Sequence, residues 1–336
     1  MKKGKIGDIL KFCIFFGIGI FFIYWFLLKL DAEQKAAIWQ SFLHARYGWV
    51  AAIMVTILLS HLVRALRWQL LYKPLQYRPK LGNTFGSVIV AYMANLAFPR
   101  LGEVARCATM RTSEQIPIDK SLGTVVTERV VDVLAFFVIV AIGLVFLYGQ
   151  ARLWIEETLA ERMATLPEPW IIAVAGVLAV VMVVVCYRLC RRFFSTRRGF
   201  QRIDRFVTGC IDGLRSIFHL GRRNTLLFIL YSGIIYLLYI VAGLFIFKAF
   251  DATAGLGFSA AFVIYLFGSL GMTFSQGGIG VYPALVMMGL TDIYGISTTV
   301  GTACGWMLWG SQQAAVIAVG AAYMIYFSII KRKNNK

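Results

Sequence analysis

Four stretches of this chain are apolar for longer than a soluble fold can absorb: Phe12 to Leu28, Trp170 to Tyr187, Asn224 to Phe247 and Ile296 to Ile330. A run of about 18 or more apolar residues with few charges has the length of a membrane span. Composition agrees. Hydrophobic residues make up 59% of the chain and charged residues 15%, whereas a soluble domain carries roughly 25% charged residues. The sequence therefore predicts an all-α, polytopic membrane protein, with residues 1–336 forming a single integral membrane domain. The first run follows Lys2, Lys3, Lys5 and Lys11, as in a signal peptide. It has no small-residue cleavage site after it and reads as an uncleaved first span.

A net charge of +18 raises nucleic acid as a partner. The arginines and lysines, however, sit in short loops beside apolar runs. That is the pattern of the positive-inside rule and of contact with anionic headgroups. The implied partners are anionic membrane lipids, with no nucleic acid. The six cysteines lie mostly in or beside apolar runs. Cys186 and Cys190 share a helix face, but no second Cys/His pair completes a metal site. No cofactor is expected.

Charge counting sets the topology. The lysine-rich N-terminus belongs in the cytoplasm. Spans at about 9–28 and 47–71 bring Lys73, Arg78 and Lys80 back to that side. If 81–98 crossed the membrane, the loop with Glu156, Glu157, Glu161 and Glu168 would lie inside. The arginine-rich loop 188–223 would lie outside, and both placements break the rule. If 81–116 enters and returns as a re-entrant hairpin, span 121–148 runs outward and both loops fall on their expected sides. Irregular backbone at that depth requires surrounding protein or an aqueous cavity. The same parity applies to 256–290, whose centre Phe274-Ser-Gln-Gly-Gly-Ile-Gly-Val-Tyr-Pro283 carries helix breakers. Span 296–330 then runs inward to Lys331, Arg332 and Lys333. The expectation is about six spans plus two oppositely oriented re-entrant hairpins. Hairpin 81–116 with span 121–148, and hairpin 256–290 with span 296–330, suggest an inverted repeat with a site near the midplane. Both termini are placed in the cytoplasm and the protein in the cytoplasmic membrane.

Four clusters could bind a ligand. In the first, from Asn95 to Arg106, Pro99 and Gly102 permit a turn, and Arg100, Glu103 and Arg106 follow at helical spacing. Glu103 can pair with either arginine, and the spare guanidinium can hold a phosphate bidentately. In the second, Glu128 and Asp132 share a face with Thr124, and Arg129 can pair with Asp132. Charges within a span cost about 2.5–3.5 kcal/mol each on insertion scales and call for partners or water. The third is Gln276, Gly277, Gly278 and Gly280, whose glycines let backbones approach closely and can turn amides towards an anion. The fourth is Arg64 and Arg67 on one helix face beside Trp68, read either as a positive-inside anchor or as a headgroup site. No nucleophile–base pair or metal-ligand set is present, so no catalytic residue is assigned.

In this order, Arg64-Ala-Leu-Arg67-Trp68, Asn95 to Arg106, Thr127-Glu128-Arg129-Val-Val-Asp132 and Gln276-Gly-Gly-Ile-Gly280 resemble the transmembrane-region family of the lysylphosphatidylglycerol synthases, stand-alone members included. In its two-part members this region is taken to flip the aminoacylated lipid that a separate soluble domain makes. The resemblance implies lipid translocation, and it implies that the synthase domain is absent here, with a lipid-modifying enzyme as a possible separate partner. Many members carry an acid shortly after the glycines, where this chain has Pro283. If that acid couples protons, this chain must use Glu103, Glu128 or Asp132 instead. The expected function is flipping of an anionic lipid or lipid-linked precursor. The alternatives are an integral-membrane transferase acting on a lipid, or a non-transporting scaffold subunit.

Overall fold

The computed structural model describes residues 32–97, 101–163 and 220–334. The first expected span, the span at 170–187 and most of the arginine-rich loop lie outside them. The described residues are helical, with no strand among them. In chain order the helices are α1 (Ala32–Leu43), α2 (Tyr47–Tyr72), α3 (Leu81–Ala97), α4 (Leu101–Glu114), α5 (Ile118–Met163), α6 (Gly221–Ala249), α7 (Phe258–Phe274), α8 (Val281–Met288) and α9 (Thr298–Asn334).

Three helical stretches are long and apolar enough to cross a membrane: Tyr47–Leu75, Gly221–Ala249 and Thr298–Ile330. At 1.5 Å per residue each exceeds the roughly 30 Å hydrocarbon core. The protein is thus a multi-pass, all-helical membrane protein. Two boundaries differ from the sequence reading. Residues 32–43, which fall between the expected spans at 9–28 and 47–71, form α1. Helix α5 continues from the expected span end at 148 to Met163. Between Gln150 and Met163 the chain carries good helix formers such as Ala, Leu, Glu, Arg and Met, without a proline or glycine to break the helix.

Residues 81–114 and 258–288 each form an antiparallel helix pair. In the first, α3 and α4 are pinned at both ends. Asn83 donates to Glu114 at 2.6 Å, and near the break the Gly102 amide donates to Asn95 Oδ1 at 2.7 Å. Gly102 is required for this approach, since a Cβ there would overlap the Ala91 carbonyl oxygen. In the second, α7 and α8 are separated by a turn in which Gly277, Gly278 and Gly280 have φ of +61°, +75° and +74°. L-residues with a Cβ rarely adopt this region.

Helix α9 packs on both hairpins through small residues. Gly320 faces Ile89 and Met93 of α3, while Gly301 and Gly305 face Met287 and the Pro283 backbone. Close backbone approach of this kind is how helices associate in lipid, where no hydrophobic drive holds them together. The breaks of the two hairpins meet: a Cβ on Gly277 would lie 2.8 Å from Leu96 Cδ2, in the last turn of α3.

Candidate functional site

Seven charged side chains gather where α2, α4 and α5 converge. Glu128 is fully buried and faces three guanidinium groups: Arg106 Nη1 at 2.6 Å, Arg67 Nη2 at 2.7 Å and Arg64 Nη1 at 3.5 Å. Asp132, one turn along α5, receives Arg64 Nη1 at 3.0 Å and lies 2.8 Å from Arg67 Nη2. The outer layer is looser. Arg129 stands 3.6 Å from Glu103 and 3.7 Å from Asp132, with 44% of its side chain exposed.

Helical spacing builds this cluster. Arg64 and Arg67 are three apart, as are Glu103 and Arg106, and Glu128 and Asp132 are four apart, so each pair shares one face. The surrounding polar groups fix the arrangement. Arg67 also donates to Ser232 at 3.0 Å, Trp68 Nε1 to Thr124 at 2.9 Å and Tyr72 to Ser121 at 3.0 Å. Removing a charge from water is costly unless partners replace the hydration. Here each carboxylate is met by arginines, and four arginines against three carboxylates leave one surplus positive charge.

Beside the cluster lies a cavity of about 990 Å³ that runs to the second hairpin. Its charged wall is Arg64, Glu103, Arg129 and Asp132; its far wall includes Ser275 and Gly277 of the α7–α8 turn, with Gln312 and Gln313 of α9. Val133, Phe136 and Phe137 of α5, with Ile57 and Ile264, add an apolar side. Phe137 lines the cavity yet is 65% exposed among the described residues.

The residues singled out in the sequence divide into three groups. Arg64, Arg67, Glu103, Arg106, Glu128, Arg129 and Asp132 form one network. Asn95 and Gly277 line the cavity. Gly278 and Gly280 shape the second turn, while Gln276 lies in that turn. Arg100 falls outside the described residues.

Three details differ from the sequence reading. Arg64, Arg67 and Trp68 are buried core rather than an interfacial anchor, because the Glu128 and Asp132 charges draw them inward. Glu103 meets Arg129, not Arg106, because Arg106 is turned towards Glu128. Gly278 is enclosed by Met272, Tyr282 and Trp309, and Trp309 donates to the Gly277 carbonyl at 2.8 Å. These glycines therefore serve the packing of the hairpin tip.

Sequence reasoning passed over His61, Tyr92, Tyr236, Tyr239, Tyr265 and Gln312–Gln313, all on the cavity wall. His61 stands one turn before Arg64 and packs against Tyr92, with ring centroids 4.3 Å apart and the planes tilted by 43°; its position three residues ahead of Arg64 was the available signal. The two glutamines interrupt an otherwise apolar run, which was another. The tyrosines carry no such mark, since aromatic residues are common in spans.

Comparison with known proteins places the chain in a family. Residues 9–327 match the family described as the lysylphosphatidylglycerol synthase TM region, and the chain belongs to that family. Over 117 residues it is 30% identical to the glycosyltransferase AglD of Haloferax volcanii, a stretch covering 34% of this chain and 18% of that protein. The chain thus spans under a fifth of that curated relative. No solved structure matches it.

Proposed function

We propose that this protein translocates an anionic lipid, or a lipid-linked precursor, between the leaflets of the cytoplasmic membrane. The observation that carries the reading is the cavity between two helical hairpins, charged on one wall and apolar on another. The physical problem is to move a headgroup through hydrocarbon while its tails stay in lipid. An unpaired charge there is expensive. A polar notch replaces the water of the headgroup, and an apolar side lets the tails follow.

In this reading the hairpins are re-entrant and of opposite sense, the repeats are inverted, and both termini face the cytoplasm. Arg129 is the arginine that takes the phosphate. It is the most exposed of the four and has the longest ion-pair contacts. Arg67 and Arg106, almost fully buried on Glu128, hold the wall in place. The protein acts without a catalytic residue of its own, and a separate lipid-modifying enzyme supplies or consumes its cargo.

The test is reconstitution of the purified protein in liposomes carrying a fluorescent anionic lipid, with loss from the protected leaflet followed over time. Acceleration with at least one of phosphatidylglycerol, aminoacyl-phosphatidylglycerol and polyprenyl phosphate is the expected result. No acceleration with any of them under an imposed proton gradient would give the scaffold reading the stronger claim. Chemical conversion of the lipid during the assay would favour the transferase.

A further inference from the structure

The tyrosines and glutamines of the cavity wall have a chemistry that a phosphate does not need. Tyr239 and Tyr265 are stacked nearly parallel, with centroids 6.1 Å apart and 9° between planes. Tyr236 sits edge-on to Tyr265 at 6.3 Å. Gln312 donates from Nε2 to Tyr282 Oη at 3.1 Å. Gln313 and the hydroxyls of Tyr239 and Tyr265 make no hydrogen bond among the described residues. All five line the cavity with Tyr282, and they are half-buried apart from the buried Tyr282. Polar groups kept in a partly desolvated wall are favourable only when something meets them.

The charges limit what that something can be. The cluster holds one surplus positive charge, which matches one negative charge and repels an ammonium. Each carboxylate is already drawn to an arginine, the loosest being Glu103, 3.6 Å from Arg129. Glu128 is buried among three arginines, Asp132 is engaged by Arg64 and Arg67, and the free Oε2 of Glu103 is itself buried. A headgroup that suits both walls carries a single phosphodiester and, beyond it, uncharged hydroxyls. Side-chain amides and phenols both donate to and accept from hydroxyls, and tyrosine faces cover the C–H face of a ring.

Resting on the reading of this cavity as a lipid-headgroup site, we propose that its cargo is a phosphodiester-linked neutral polyol, such as a cyclitol or sugar, rather than a cationic or bare-phosphate head. Tyr239, Tyr265 and Gln313 form the polyol subsite and Arg129 the phosphate subsite.

Native mass spectrometry of the full chain in detergent micelles tests this directly. The probes are phosphatidylinositol, phosphatidic acid and phosphatidylethanolamine with the same acyl chains, and glycerophosphoinositol, which has the head without the tails. Phosphatidylinositol should bind at least tenfold more tightly than each of the other three. Tyr239→Phe and Gln313→Leu each keep nearly the same volume, and should bring phosphatidylinositol down to the level of phosphatidic acid. Arg129→Gln should weaken both lipids alike. Phosphatidic acid or phosphatidylethanolamine binding as tightly as phosphatidylinositol overturns the polyol subsite. Glycerophosphoinositol binding as tightly as the lipid overturns the lipid source. Binding is read without transport. Flipping without polyol preference removes this inference alone, and polyol preference without flipping removes the translocase reading alone.

Discussion

The guanidinium of Arg106 lies over the ring of Trp68, 3.6 Å from Cζ to the ring centroid, while its Nη1 reaches Glu128 at 2.6 Å. Trp68 in turn donates its Nε1–H to Thr124, four residues before Glu128 on α5. Three helices are thereby tied through one indole: α2 carries Trp68, α4 carries Arg106 and α5 carries both acceptors. A cation on a desolvated indole face is worth about 2 kcal/mol. The pairing therefore does part of the work of a hydrophobic core in a place where charges have replaced apolar side chains.

Replacing Glu128 with Gln should cost stability first and transport second. It leaves Arg67 and Arg106 buried with one fewer anion, and breaking a buried pair by removing one partner costs about 3–5 kcal/mol. Thermal unfolding of the purified protein in detergent should show a clear drop in Tm. Arg106→Gln combined with Glu128→Gln should lose less than the sum of the single losses, because the second change removes the charge stranded by the first. An unchanged Tm in Glu128→Gln would mean that water, not protein, surrounds this carboxylate.

Trp68 separates its two roles by substitution. Trp68→Phe keeps a ring face for Arg106 but removes the N–H that Thr124 Oγ1 accepts, while that hydroxyl still donates to the Ser121 carbonyl; the lost hydrogen bond is worth about 1 kcal/mol. Trp68→Leu removes the face as well and should fall further in Tm. Equal Tm values for the two would show that the ring face contributes nothing.

Much of this was legible in the residues, for identifiable reasons. Glycine and proline punctuation marked both helix pairs: α3 ends at Ala97 and α4 begins at Leu101, and the turn between α7 and α8 holds Gly277, Gly278 and Gly280. Acid and arginine residues inside apolar runs marked the cluster, because such residues need partners. Which arginine met which acid was not legible. Arg64 and Glu128 are 64 positions apart, and their pairing depends on how α2 packs against α5. The tyrosine wall was illegible for the opposite reason: nothing local distinguishes Tyr239 from a lipid-facing aromatic.

Membrane sidedness gives an independent check on the hairpins. Single cysteines placed between 156 and 161 should react with a membrane-impermeant maleimide from outside intact cells. Cysteines at 100–115 and 195–205 should react only after the cytoplasmic face is opened. External labelling of 100–115 would mean that α3 crosses the membrane, and the re-entrant arrangement would be lost.

Arg129 should behave unlike its neighbours. Its side chain is 44% exposed and lines the cavity, whereas those of Arg67 and Arg106 are 1% and 3% exposed. Arg129→Gln should leave stability within about 1 kcal/mol of wild type, the range of an exposed ion pair, and so shift Tm little, and should slow lipid translocation at least tenfold. Arg67→Gln should lower Tm sharply. If the two variants lose stability equally, the cavity wall is a structural network and Arg129 has no separate role.

The meeting of the hairpin tips makes the last prediction. Gly277 has φ of +61°, and a Cβ there would lie 2.8 Å from Leu96 Cδ2. Gly277→Ala therefore meets two obstacles. The backbone conformation disfavours an L-residue, at about 1–3 kcal/mol, and the new methyl presses on the other hairpin. Leu96→Ala removes the second obstacle and leaves the first. The double variant should recover part of the Tm lost by Gly277→Ala, and the unrecovered part is the backbone strain. Full recovery would put the whole cost in the contact between tips. No recovery would mean that the tips do not touch in the folded protein, and the cavity between them would be wider than 990 Å³. The same pair reports on transport. If the tips must part for a headgroup to pass, Leu96→Ala alone should raise the translocation rate, since it removes the side chain that sits against Gly277 across the gap.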